Sequence, residues 1–272
     1  MTDNELKTTA AKVREGIVTA VYSAASGHPG GSLSAADMYT YLFFEEMNID
    51  PKNPRDPKRD RFVLSKGHTS PGYYSALANR GFFPVEDLKT FRKLGSYLQG
   101  HPCMNETPGV DMSSGSLGQG LSAATGMALA GKLKGEDYRV YTLLGDGEIQ
   151  EGQIWEAAMF AGAHKLDNLT VIVDNNDLQI DGRVADVCNI YPIDKKFEAF
   201  NFNVINIDGH DFAQIRDAFA KARETKGMPT AIIMKTIKGK GVSFMEDNAG
   251  WHGKAPNAEE YEKAIAEIRS AI

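Results

Sequence analysis

The stretch GDGEIQEGQIWEAAMFAGAHKLDNLTVIVDNND (145–177) constrains this chain more than any other. An apolar run, YTLLG (141–145), leads into Asp146, and a second, LTVIVD (169–174), ends just before the amide pair Asn175 and Asn176. Both runs read as buried strands, and the residues between them read as a helix. A strand–helix–strand unit brings the carboxyl ends of its two parallel strands to one edge, where open α/β sheets bind ligands. Asp146 and Asn176, 30 residues apart, therefore arrive there as neighbours. A carboxylate and a side-chain amide are hard oxygen donors, suited to a Mg²⁺ ion that also holds a phosphate group.

The rest of the chain keeps this rhythm. Residues 4–25 place Leu6, Ala10, Val13, Ile17, Ala20 and Val21 on one helical face. SGHPGGS (26–32) stops that helix, because Gly and Pro disfavour continuing it. Ser34 is then placed to cap a second helix reaching about Met47. NIDPKNPRDPKRD (48–60) is polar, carries three prolines and reads as an exposed loop. RFVLS (61–65) is a short strand, a helix begins near Pro71, and SSGSLGQG (113–120) precedes a helix of small residues. Further strands are expected at about 138–144, 168–174, 202–207 and 229–235, most of them separated by helices. This alternation predicts an α/β fold: a doubly wound, mostly parallel sheet with helices on both faces. The chain reads as a single domain over 1–272. Within it, 238–256 is Gly-rich and aperiodic, and 258–271 is a surface helix with i,i+4 pairs such as Glu259–Lys263.

Glycine placement adds a second constraint. Gly67, Gly145 and Gly147 lie just past strand ends, and Gly115 and Gly118 lie in the turn before a helix. Such turns let backbone N–H groups approach a phosphate, and a helix start adds a favourable dipole. The chain has no P-loop, and GQGLSAATG fits no dinucleotide fingerprint because it follows a loop rather than a strand.

Composition narrows the class. A net charge of −6, with no Lys/Arg run longer than two residues, argues against a nucleic-acid binder. No 18-residue apolar run offers a membrane span, and the polar start MTDNELKTTA is no signal peptide. Cys103 and Cys188 form neither a disulfide framework nor a zinc spacing. A cytoplasmic protein is expected.

Taken together, five motifs resemble the transketolase family, in its N-terminal domain that binds the diphosphate of thiamine diphosphate. They are SGHPGGSLSAAD (26–37), LSKGHTSPGYY (64–74), GHP (100–102), SSGSLGQGLSAATGMA (113–128) and GDGEIQEGQIWEA through NNDLQIDG (145–182), in the family's order. The resemblance implies a thiamine-diphosphate-binding fold and assigns roles to the matching positions. Asp146 and Asn176 would bind Mg²⁺ through their side chains and Leu178 through its carbonyl, Ca²⁺ and Mn²⁺ being alternatives. Asn176, His68, Glu156 and backbone groups near Gly115, Leu117 and Gly147 would hold the cofactor. His28 and His101 would face the substrate's hydroxyl and carbonyl groups. His252, in WHGKAP, would lie near both phosphate and substrate, although the loop before it departs from the family pattern. Glu151 would relay protons between neighbouring sites. His164 and His210 read as ordinary structural histidines.

The resemblance further implies transfer of a two-carbon ketol unit from a ketose phosphate to an aldose phosphate. In the family, the Glu that activates the cofactor lies in a pyrimidine-binding domain, for which this chain has no room. The chain is therefore expected to be the N-terminal subunit of a split transketolase, paired with a C-terminal subunit in an α₂β₂ heterotetramer. A deoxyxylulose-phosphate synthase or a 2-oxo acid dehydrogenase E1 subunit would share the cofactor, but SGHPGG, GHP and SSGSLGQG together favour transketolase. A non-catalytic binding protein of the same fold is disfavoured by the intact Asp146, Asn176, His28, His68 and His101.

Overall fold

The computed structural model describes residues 1–271; residue 272, which the expected 1–272 domain includes, lies outside them. Its strands are β1 (Arg61–Leu64), β2 (Val140–Gly145), β3 (Leu169–Asn175), β4 (Leu178–Gln179), β5 (Gly182–Arg183), β6 (Asn203–Asp208) and β7 (Thr230–Lys235). Five of them form one sheet in the order β1-β2-β3-β7-β6, and every pair in it is parallel. β4 and β5 make a small antiparallel hairpin. The helices are α1 (Asp3–Ala24), α2 (Pro29–Leu33), α3 (Ala36–Tyr41), α4 (Ser70–Arg80), α5 (Gln119–Lys134), α6 (Gly152–Ala163), α7 (Val184–Val187), α8 (Ile193–Ala199), α9 (Phe212–Glu224) and α10 (Ala258–Ser270). None is long and apolar enough to cross a membrane.

Side-chain alternation explains why the central strands read as continuous apolar runs. Phe62, Leu64, Tyr141, Leu143, Ile172, Ile232 and Met234 enter one core with α1, α3, α4 and α9. Val63, Val140, Leu144, Val171, Val173, Ala231 and Ile233 enter another with α5, α6 and α8. Both faces are covered, so both alternate positions are buried and mostly apolar, with Thr142, Thr170, Asp174 and Thr230 the polar residues among them. A third cluster packs Val13 and Ile17 of α1 against Ala264, Ile265 and Ile268 of α10, together with Val242, Met245 and Trp251 of the aperiodic segment. Local signals set the ends of the helices. Thr2 and Glu5 form a capping box on α1, and Asn257 and Glu260 form one on α10.

Two expectations are corrected. The helix expected from Ser34 to about Met47 runs over 36–46, as α3 continued by a π-helical turn at Leu42–Glu46, and a separate short helix, α2, precedes it. Ser34 is not the N-cap of that helix; it closes α2 at its C-terminal end, and its hydroxyl donates to the Gly31 carbonyl and to buried Asp174. The α10 helix is not simply a surface element, because it buries Ala264, Ile265 and Ile268. Its i,i+4 ion pair is Lys263–Glu267, at 3.9 Å, rather than Glu259–Lys263.

Candidate active site

The carboxyl ends of β1, β2, β3 and β7 lie side by side, and the loops leaving them enclose a cavity of about 500 Å³. His28, His68, His101, His252, Gly115, Leu117, Asp146, Gly147, Glu151, Asn176 and Leu178 all line it. Register accounts for the meeting of Asp146 and Asn176. Gly145 pairs with Asp174 across β2 and β3, so the residues that follow leave the sheet together.

Asp146 is buried. Its Oδ1 accepts from the Gly147 N–H at 2.8 Å, and its Oδ2 accepts from the Asp177 N–H. Asn176 donates from Nδ2 to Asp174 at 3.1 Å, and its Oδ1 accepts from the Leu178 N–H at 3.2 Å. Burial first, then the neighbouring Asp174 carboxylate, pushes the Asp146 carboxyl up to about 7. A buried acid so perturbed gains from any cation placed against it. Among the described residues, no group of three or more His, Cys, Asp or Glu side chains is arranged to hold a metal. The donors on offer are instead one carboxylate, one amide oxygen and the Leu178 carbonyl. That set fits a hard divalent ion that takes its remaining oxygens from a phosphate.

Two lysines, which sequence reasoning did not single out, supply positive charge. Lys66 is buried and donates from Nζ to Asp174 at 2.5 Å and to the Gly31 carbonyl at 2.9 Å. Lys238, also buried, donates from Nζ to the Leu178 carbonyl at 2.9 Å and lies 3.1 Å from His252 Nδ1. Burial pushes the Lys238 ammonium down to about 8, against the opposing pull of Asp146. Lys66 sits inside the quoted LSKGH motif, so its position was legible. Lys238 lies in the aperiodic segment, where no periodic signal marks it.

Glu148 was also missed. It is buried and binds three loops together: Oε1 accepts from Ser65 Oγ at 2.5 Å and from the Gly118 N–H at 2.9 Å, and Oε2 accepts from the Gly145 N–H at 2.9 Å. Gly118, at φ +86°, starts α5 in the left-handed region that favours glycine. The 66–68 and 113–118 loops approach so closely that a Cβ on Gly67 would lie 2.9 Å from the Gly115 nitrogen. The result is a glycine-walled cradle, with Gly115, Gly145 and Gly147 on the cavity's lining.

The histidines form a cluster. The ring centroids of His28, His68 and His252 lie 5.0, 5.2 and 5.4 Å apart. Burial, then Arg92, lowers His28 to about 4, and burial, then Lys238, lowers His252 to about 3. His68 is lowered by burial and by the positive groups around it, and His101 by burial and Arg92. All four are therefore neutral imidazoles near pH 7, each able to donate a hydrogen bond from one nitrogen and accept at the other.

Glu151 is exposed at the cavity's edge, just before α6 begins. Glu156 does not line the cavity. It lies on α6 and is exposed. His164 packs against Phe160, and His210 bonds Asp37 and the Ile237 N–H, both away from the cavity.

The family described as "Transketolase, thiamine diphosphate binding domain" matches residues 6–270. A 6-deoxy-6-sulfo-D-fructose transketolase subunit from Clostridium sp. (strain MSTE9) is 47% identical, over 89% of this chain and 88% of the relative. An apulose-4-phosphate transketolase subunit from Phocaeicola vulgatus is 42% identical, over 96% of this chain and 92% of the relative. The crystal structure of a transketolase from Campylobacter jejuni superposes with a TM-score of 0.93 at 37% identity, covering 99% of this chain and 43% of that one.

Proposed function

Because the chain belongs to the transketolase family, as its thiamine-diphosphate-binding domain, we propose that it is the N-terminal subunit of a transketolase moving a two-carbon ketol unit from a ketose to an aldose. The observation that carries this reading is the convergence, in one cavity, of an oxygen donor set, two buried ammonium groups and a cluster of neutral histidines. Thiamine diphosphate supplies, when bound, a carbon nucleophile and electron sink for breaking and remaking a bond beside a carbonyl.

The chain's own residues divide the remaining work. Asp146, Asn176 and the Leu178 carbonyl would hold Mg²⁺. Lys66, Lys238, His68 and the amide groups near Gly115, Leu117 and Gly147 would hold the diphosphate and balance its charge. His28, His101 and His252 would orient the sugar's hydroxyl groups and exchange protons with them, as neutral imidazoles do well near pH 7. Two relatives are named as subunits, which supports a second polypeptide that carries the pyrimidine-binding domain. Their names concern a sulfonated sugar and a sugar phosphate. We therefore expect a donor ketose that bears a terminal anionic group.

Two measurements test this. Equilibrium dialysis should show Mg²⁺-dependent retention of thiamine diphosphate that Asp146→Ala abolishes; retention unaffected by that change removes the ligand assignment. Reconstitution with the second subunit should bring ketol transfer that the lone chain lacks. Full activity from the lone chain would refute the two-subunit reading.

A further inference from the structure

Away from the cavity's lining, a second buried polar cluster surrounds His210. Asp37, on α3, accepts from both ends of the Arg14 guanidinium on α1: Nη1 to Oδ1 at 3.0 Å and Nη2 to Oδ2 at 2.6 Å. His210, in the turn between β6 and α9, places Nδ1 2.8 Å from Asp37 Oδ2. Its Nε2 lies 2.9 Å from the backbone nitrogen of Ile237. A backbone N–H can only donate, so Nε2 is the acceptor and the ring proton sits on Nδ1, aimed at the carboxylate. Arg14 makes a third bond, from Nε to the Lys240 carbonyl at 3.0 Å. The assembly thus grips the chain on both sides of Lys238.

That grip has work to do. From Thr236 to Asn248 the chain has neither helix nor strand, yet it must carry a buried ammonium into the cavity. The loop is pressed hard against its clamp: a Cβ on Gly241, at φ +92°, would lie 2.9 Å from Arg14 Cδ. A long lysine side chain on an irregular loop reaches a fixed point only if its backbone is held.

We propose that His210 is a positioning residue for Lys238. In this arrangement the Arg14–Asp37 pair selects the Nδ1–H tautomer of His210. The imidazole and Arg14 together hold residues 237–240 so that the Lys238 ammonium faces the diphosphate. The inference rests on the cofactor reading of the cavity given above.

The test uses the full chain, inorganic pyrophosphate and Mg²⁺, read by calorimetry, alongside amide hydrogen exchange at Ile237. His210→Leu should speed Ile237 exchange and weaken pyrophosphate binding by about tenfold each. His210→Gln, whose amide can donate to Asp37 and accept from Ile237, should restore both. In a Lys238→Met background, His210→Leu should cost no further pyrophosphate affinity, a non-additivity that a merely structural role would not produce. Imidazole nitrogen shifts of the wild-type chain should show a pyridine-like Nε2, a readout that needs no variant to fold. The Nε2–H tautomer, unchanged Ile237 exchange, failed rescue by Gln, or an undiminished loss in the Lys238→Met background would each overturn the proposal. A wild-type chain that binds no Mg²⁺–pyrophosphate would instead overturn the cofactor reading, and the exchange and tautomer measurements would still decide whether His210 holds the loop.

Discussion

Replacing Glu148 by Ala should damage the cavity's frame rather than its chemistry. Its two carboxylate oxygens satisfy the Gly118 and Gly145 N–H groups and the Ser65 hydroxyl. Ala leaves those donors facing a void. The hydroxyl can turn to another acceptor, but the two backbone donors cannot. A buried donor left without a partner costs about 1–3 kcal/mol, so the pair sets a loss of about 2–6 kcal/mol. Burial raises the Glu148 carboxyl pKa, so the native ionised group is itself held at a cost. The expected loss is a large share of the ~5–15 kcal/mol stability of an ordinary domain. Glu148→Gln should cost about half as much, because its amide oxygen can keep one set of bonds while its NH₂ opposes a donor. The assay is urea unfolding at fixed pH and Mg²⁺, followed by the midpoint shift. An Ala variant with an unshifted midpoint would refute the idea that this carboxylate ties the three loops together.

Asp174→Asn strands the buried Lys66 ammonium without its carboxylate and should destabilise the chain by about 3–5 kcal/mol, again read as a urea midpoint; a shift under ~1 kcal/mol would contradict the assigned pairing. His28 and His252 have pKa values near 4 and 3, lowered first by burial, so the unfolded chain takes up their protons first as pH falls. Their stabilising contribution is complete above about pH 6.5 and is lost as pH falls through those lowered values. Asp146, raised to about 7, acts in the opposite sense between about pH 4 and 7. The comparison is therefore between wild type and a His28→Gln, His252→Gln variant, which should show a flatter acid dependence in thermal unfolding; parallel curves would exclude the histidine contribution. His101→Ala, measured with the second subunit present, should cut turnover by about 10²-fold or more while leaving cofactor affinity nearly unchanged. The reverse pattern would move His101 to the phosphate side.

The strand–helix–strand spacing of 145–177 determined, without any coordinates, that Asp146 and Asn176 would leave neighbouring parallel strands at one edge. That follows because strand period and crossover geometry are local properties that residue types can report. The glycine turns at 67, 115 and 147 were legible for the same reason: a close backbone approach needs the missing side chain wherever the loop ends up. Tertiary structure alone decided what Ser34, Glu148, Asp174 and Lys238 do, since each acts on groups far away in the chain, such as Ser34 on Asp174 or Lys238 on Leu178. Such contacts have no sequence period. A buried polar group takes whichever partner the packed cores deliver, because leaving it unpaired costs more than any local preference can repay. The same rule made His210 look ordinary as a letter in the chain, when its two nitrogens join a buried carboxylate to the loop that carries Lys238.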